Sequence, residues 1–140
     1  MIFTVIGKPQ GKGRPRFTRA GHTYTPSTTA LYENCVRTAF YKAKGTIMEG
    51  EIRAVITAYY PIPKATSRKV RQDMLDEKIK PTKKPDCDNV AKIILDALNK
   101  IAYNDDSQVV ELVVNKRYGD TAKVVVELEE VRTSDNGRKV

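Results

Sequence analysis

Between Asn89 and Ile101, the residues Val90, Ile93, Ile94, Ala97, Leu98 and Ile101 recur at spacings of three and four. At 3.6 residues per turn this places them on one face, so the spacing predicts an amphipathic helix that must bury a stripe against an apolar surface. The segment just before it, Pro85-Asp86-Cys87-Asp88-Asn89, is acidic, and Asp88 is placed to cap the helix. Asp88, Lys92, Asp96 and Asn99 fall in one arc opposite the stripe, with Leu95 as an apolar intruder.

The surface for that stripe is expected from strands. Residues 1–6 alternate Ile2, Thr4 and Ile6 with Phe3 and Val5, and a second strand sets Ile52, Ala54, Ile56 and Ala58 on one face until Pro61 and Pro63 stop it. Residues 108–117 and 122–130 also alternate, joined through Tyr118-Gly119-Asp120-Thr121, whose central Gly-Asp predicts a tight hairpin. A helix capped by Ser27 or Thr28 is expected to run to about Lys44 with Leu31, Cys35, Ala39 and Phe40 toward the core. Residues 65–79 suggest a basic helix with a thin stripe of Val70, Met74 and Ile79. The order β-α-β-α-α-β-β implies an α+β fold, a small, mainly antiparallel or mixed sheet with helices packed on it. A chain of 140 residues suits one domain, expected over residues 1–130, with residues 131–140 as a flexible tail.

Charge narrows the function. The chain carries a net charge of +8, which favours a polyanionic partner through counterion release. Residues 1–50 hold eight basic and two acidic side chains, and residues 64–84 hold eight and three. Residues 85–111 reverse the balance with Asp86, Asp88, Asp96, Asp105, Asp106 and Glu111 against Lys92 and Lys100. An acidic island facing a nucleic acid would repel it unless a cation intervened. Cys35, Cys87 and the single His22 are too few and scattered for a disulfide framework, a zinc site or a histidine-based triad. No apolar run is long enough to span a bilayer and no signal-peptide pattern opens the chain, so a soluble, intracellular protein without a membrane partner is expected.

Asp86 and Asp88 enter a helix and Asp106 enters a strand, ends that can converge. Carboxylates so arranged suit Mg²⁺ or, as a substitute, Mn²⁺, which can activate water and stabilise charge in phosphodiester hydrolysis. Lys92, one turn beyond Asp88, could add a donor to the scissile phosphate. The structural alternative is plainer: Asp88 caps the helix and pairs with Lys92 at i,i+4, Asp105 and Asp106 form a turn, and Cys87 and His22 have no chemical role. The loop of residues 7–16, with Lys12, Arg14 and Arg16 and then Arg19, offers cations on a glycine-containing backbone that can approach phosphates, as do Lys83 and Lys84.

Taken together, the run from Lys84 to Asn99, the segment Asn104-Asp105-Asp106-Ser107-Gln108-Val109, the loop of residues 7–16 and Tyr24-Thr25-Pro26 resemble the RusA-type Holliday junction resolvases. The resemblance covers all but the C-terminal tail. It implies a homodimeric, Mg²⁺-dependent endodeoxyribonuclease that resolves four-way DNA junctions in recombination and repair, cytoplasmic and of bacterial or phage origin. It makes Asp86, Asp88 and Asp106 the catalytic, metal-binding carboxylates and Lys92 the catalytic lysine. Asp105 remains an alternative ligand and Asp96 a supporting acid. Two other functions fit the residues: a nuclease for other branched or single-stranded DNA, and a non-catalytic junction-binding architectural protein.

If Arg14 and Arg16 contact phosphates, Arg14→Ala and Arg16→Ala each make the dependence of log K on log salt shallower by about 0.9. Titrating a labelled four-way junction at several salt concentrations measures this, and an unchanged slope removes the residue from the DNA surface.

Overall fold

Strand β1 (Ile2–Ile6) turns Phe3 and Val5 inward and Ile2, Thr4 and Ile6 outward, as the two-residue period of a strand requires. The same rule holds in β4 (Ile52–Pro61), one of the two inner strands of the sheet, where Ile52, Ala54, Ile56 and Ala58 are each fully buried. The computed structural model describes residues 1–13, 16–24 and 26–131, with the backbone alone described at Arg16, Phe17 and Tyr24. Arg14 and the expected tail beyond Val131 lie outside the described residues, as does the Arg16 side chain.

The architecture is α+β, as the pattern predicted. A mixed sheet runs in the order β1-β6-β4-β5, with β5 (Val109–Gly119) parallel to β4 and β6 (Lys123–Glu130) antiparallel to both β4 and β1. Helices α1 (Ser27–Lys42) and α3 (Cys87–Ala97) contact each other, α1 meeting β1 and α3 meeting β5. Val36 and Phe40 of α1 and Val90, Ile93, Ile94 and Leu98 from the α3 region join the inward strand residues in one core. Phe3 meets Phe40 edge-on, with ring centres 5.7 Å apart, which locks β1 to α1.

Several expectations are corrected. The β5–β6 hairpin does not form, because β4 lies between the two strands. Residues 120–122 instead carry the chain past the end of β4, across two strand spacings of about 4.8 Å each. Alternation and turn residues show that two strands follow one another in the chain; they do not show which strands hydrogen-bond. The basic loop that reaches Arg16 leads into a small hairpin that the pattern did not indicate, β2 (Arg16–Phe17) with β3 (Thr23–Tyr24). Helix α1 is rotated from its expected face: Thr29, Tyr32, Glu33, Val36 and Phe40 are buried, whereas Cys35 is exposed and Leu31 is 65% exposed. Two apolar stripes overlap on this helix, and polarity alone does not choose between them. Leu31 and Cys35 line an open groove of about 660 Å³ beside the free edge of β1.

The basic helix is shorter than expected. Helix α2 (Arg68–Leu75) is capped by Ser67, whose hydroxyl accepts from Val70 N, and it stops before Glu77, which adopts a left-handed φ of 65°. Met74 is its one buried residue. At the other boundary, Val131 N donates to Glu51 O, extending the β4 end of the sheet by one residue. No helix among the described residues is long and apolar enough to cross a membrane.

Gly45 shows how tightly the α1 end is packed. A Cβ there would lie 2.4 Å from the fully buried Phe40 ring. Gly45→Ala should therefore cost about 1–3 kcal/mol by overpacking, measured as a lower urea midpoint at unchanged m-value.

Candidate active site

Helix α3 begins two residues earlier than the stripe alone indicated, so Asp86, not Asp88, occupies its N-cap position. The Asp86 side chain makes no cap hydrogen bond and is exposed, and Asp88 sits in the first turn, where a negative charge is favourable against the helix dipole. The buried stripe holds the helix down, so the opposite arc faces outward. There Asp86, Asp88, Asn89, Lys92 and Asp96 line a cleft of about 520 Å³ whose other wall is Lys12 and Gly13. An adjoining cleft adds Gly11, Lys84 and Pro85.

The basic loop is seated on this helix. Lys12 N donates to Asn89 Oδ1 at 3.0 Å, and Gly13 N donates to Thr29 Oγ1 of α1 at 3.0 Å. A Cβ on Gly11 would sit 2.3 Å from Asn89 Nδ2, so the approach admits no side chain. Lys12 Nζ lies 2.8 Å from Glu33 Oε2 and 3.4 Å from Asp96 Oδ2. Burial works against its charge, but the hydrogen bond and charge of Glu33, followed by Asp96, outweigh it and raise the ammonium's pKa. Lys92 is only 3.9 Å from the same Asp96 oxygen and its side chain is 62% exposed. The i,i+4 ion pair on α3 is thus Lys92 with Asp96, in place of Asp88 with Lys92.

Asp105 and Asp106 play different parts. Asp105 caps the short 3-10 helix Asp106–Gln108, accepting from Ser107 N at 3.1 Å, while Gln108 Oε1 accepts from Asn104 N and Asp105 N. Hydrogen bonding from Ser107 holds the Asp105 carboxyl below the ordinary carboxylate range. Asp106 is held through its backbone, its N–H donating to Asn99 Oδ1 at 3.0 Å. Among the described residues, the carboxylates of Asp86, Asp88 and Asp106 have no hydrogen-bond or ion-pair partner. Those of Asp73, Asp76, Asp105 and Asp120 are each engaged, and that of Asp96 pairs with both Lys12 and Lys92.

Two tyrosines fix the frame. Tyr60 of β4 donates its hydroxyl to Pro85 O, just ahead of Asp86; burial, then the Cys87 thiol and the Asp86 carboxylate, push its pKa up to about 12. Tyr103, fully buried, donates to Leu95 O at 2.6 Å and is driven up by burial and then by the charges of Asp106, Asp96 and Asp105. Asp106 and Asp96 are therefore near one phenol although they lie on different elements. Both phenols stay neutral donors at ordinary pH.

The profile of the family described as Endodeoxyribonuclease RusA matches residues 7–129. The chain belongs to the RusA endodeoxyribonuclease family. It is also similar to YqaN, an uncharacterized protein of Bacillus subtilis (strain 168), with 38% identity over 135 residues that span 92% of this chain and 95% of the relative.

Within this RusA chain, the fold gathers Asp86, Asp88, Lys92 and Asp96 around one cleft with Lys12 and Lys84 on its rim. Asp106 stands apart from the lining of that cleft, and no three His, Cys, Asp or Glu side chains among the described residues form a ready-made metal group. Lys83 lies with its ammonium 5.6 Å from the Tyr118 ring centre, and Arg19 is exposed in the turn between β2 and β3. Glu33, Asn89 and Asn99 were given no role by the sequence pattern. A signal for Glu33 existed: an acid within a helix stripe of Thr29, Tyr32, Val36 and Phe40 needs a buried cation.

Asn99→Ala leaves Asp106 N without its acceptor. A stability loss of about 1–2 kcal/mol in urea denaturation is expected, together with slower DNA cleavage in a single-turnover assay. Cleavage at the unaltered rate would show that Asn99 does not set the position of Asp106.

Proposed function

We propose that this RusA-family endodeoxyribonuclease resolves four-way DNA junctions by paired phosphodiester hydrolysis, with Asp86, Asp88 and Asp106 holding Mg²⁺ and Lys92 facing the scissile phosphate. The observation that carries this reading is that the carboxylates of these three aspartates have no partner among the described residues. Their hard oxygen donors fit Mg²⁺, with Mn²⁺ as a substitute. When bound, such an ion supplies an activated water and charge stabilisation for the departing oxygen. Asp106 is favoured over Asp105 as ligand because the Asp105 carboxylate is engaged by Ser107.

The chain's own residues do the rest. Lys92 is loosely held and exposed, so leaving Asp96 costs about 1 kcal/mol or less, which lets its ammonium follow a phosphate into the cleft. Asp96 lines the same cleft one helical turn further on, as a supporting acid. Lys84 on the rim, Lys83, Arg19 and the basic loop with Arg14 and Arg16 supply phosphate contacts on either side. A homodimer presents two sites to a nearly two-fold junction, and the free edge of β1 beside the apolar groove with Leu31 and Cys35 supports such an assembly. The reading places the protein in DNA recombination and repair within the cytoplasm.

Asp86→Asn and Asp88→Asn should each lower cleavage by about 100-fold or more while leaving junction binding largely intact, since each removes a charge that stabilises the reaction and repels DNA. The assay is cleavage of a synthetic mobile four-way junction, with flap and linear duplex as comparators, in Mg²⁺, Mn²⁺ or chelator. Equal cutting of linear duplex would reject junction specificity, and full cutting in chelator would reject the cation.

A further inference from the structure

Lys12 belongs by sequence to a run of cations aimed at DNA, yet its ammonium is turned inward. Its side chain is 20% exposed and lies between Glu33 on α1 and Asp96 on α3. Glu33 is the buried charged residue of the described chain, 9% exposed, and an unpaired carboxylate at such a position is costly. Its Oε2 accepts the Lys12 hydrogen bond at 2.8 Å. The Lys12 backbone is fixed as well, by Asn89 in the first turn of α3, so this one residue joins the loop, α1 and both ends of α3.

Two lysines share one oxygen. Lys12 lies 3.4 Å and Lys92 3.9 Å from Asp96 Oδ2. Lys12 is nearer, less exposed and tied down at Glu33, whereas Lys92 has no other ion-pair partner among the described residues. Were Lys12 absent, Asp96 would have Lys92 as its one cation among the described residues and would hold it against the helix. With Lys12 present, the charge of Asp96 is already met when Lys92 moves away.

We propose that Glu33 and Lys12 form a positioning strut that neutralises Asp96 and so frees Lys92 for the phosphate, making Lys12 a residue that acts through Lys92 instead of a DNA contact. The strut also pins residues 11–13 as one wall of the cleft. The inference rests on the endonuclease reading above, and its test separates the two.

The test uses the full chain with Lys12→Met combined with Glu33→Gln, which removes both charges of the strut and leaves no buried acid unpaired. Thermal unfolding and circular dichroism establish that the variant folds. On a synthetic four-way junction in Mg²⁺, its single-turnover rate at saturating enzyme should fall at least about tenfold. Junction binding in chelator should keep a Kd within about threefold of the parent and an unchanged slope against log salt, since no phosphate contact is lost. Adding Asp96→Asn to this variant should recover most of the rate, because Lys92 is released from the unmet charge. A merely structural strut would not respond to that third change. A salt slope shallower by about 0.9 with an unchanged cleavage rate would make Lys12 a phosphate contact and overturn the proposal. A rate that Asp96→Asn fails to restore would overturn it too. Failure of the unaltered protein to cut any junction would instead reject the endonuclease reading on which the strut depends.

Discussion

Burial of the Val90, Ile93, Ile94, Ala97 and Leu98 stripe is the constraint on which the candidate site rests. Each of these side chains is removed from water, and at roughly 1.5–3 kcal/mol for a fully buried large aliphatic residue they form one of the stronger anchors in the molecule. Because a helix is rigid, fixing one face fixes the other. Asp86, Asp88, Lys92 and Asp96 therefore stand where the core requires. Tyr60 and Tyr103 then secure the two ends, one through Pro85 O and the other through Leu95 O. Precision at the cleft is thus inherited from apolar packing beneath it and from two phenols that remain protonated.

Electrostatics at the site follow a division of labour. Acidic groups with structural duties are paired: Asp105 with Ser107 N, Asp96 with lysines, Glu33 with Lys12. Among the described residues, nothing pairs with the carboxylates of Asp86, Asp88 and Asp106. The basic surface around them attracts DNA, while the local acidity gives reason for a cation between protein and phosphate. Membership of the RusA endodeoxyribonuclease family agrees with that distribution.

Sequence patterns were most reliable where a period reports burial directly. The alternation in β4 and the three-and-four spacing in α3 named the inward residues, with Ile101 only partly buried, because one face of each has a single apolar choice; in β1 the alternation separated two faces without choosing between them. For α1 they were right about Phe40 and failed at Leu31 and Cys35, which compete with Tyr32 and Val36, and the neighbouring Phe3 and the loop at residues 11–13 decided the rotation. They also failed for β5 and β6, since chain adjacency does not encode the insertion of β4.

By itself the sequence determined the α+β class, the amphipathic helix, the acidic island within a basic chain, and the set of acids and lysine that the family resemblance marked. Those are local properties, written in spacing and charge. Only the tertiary structure decided that Lys12 points to Glu33 and Asp96, that Asp105 is a cap while Asp106 is held by Asn99, and that α1 reaches the cleft through its buried acid. Each of these depends on residues distant in the chain competing for one partner, and the winner is set by packing and distance, which no local pattern contains.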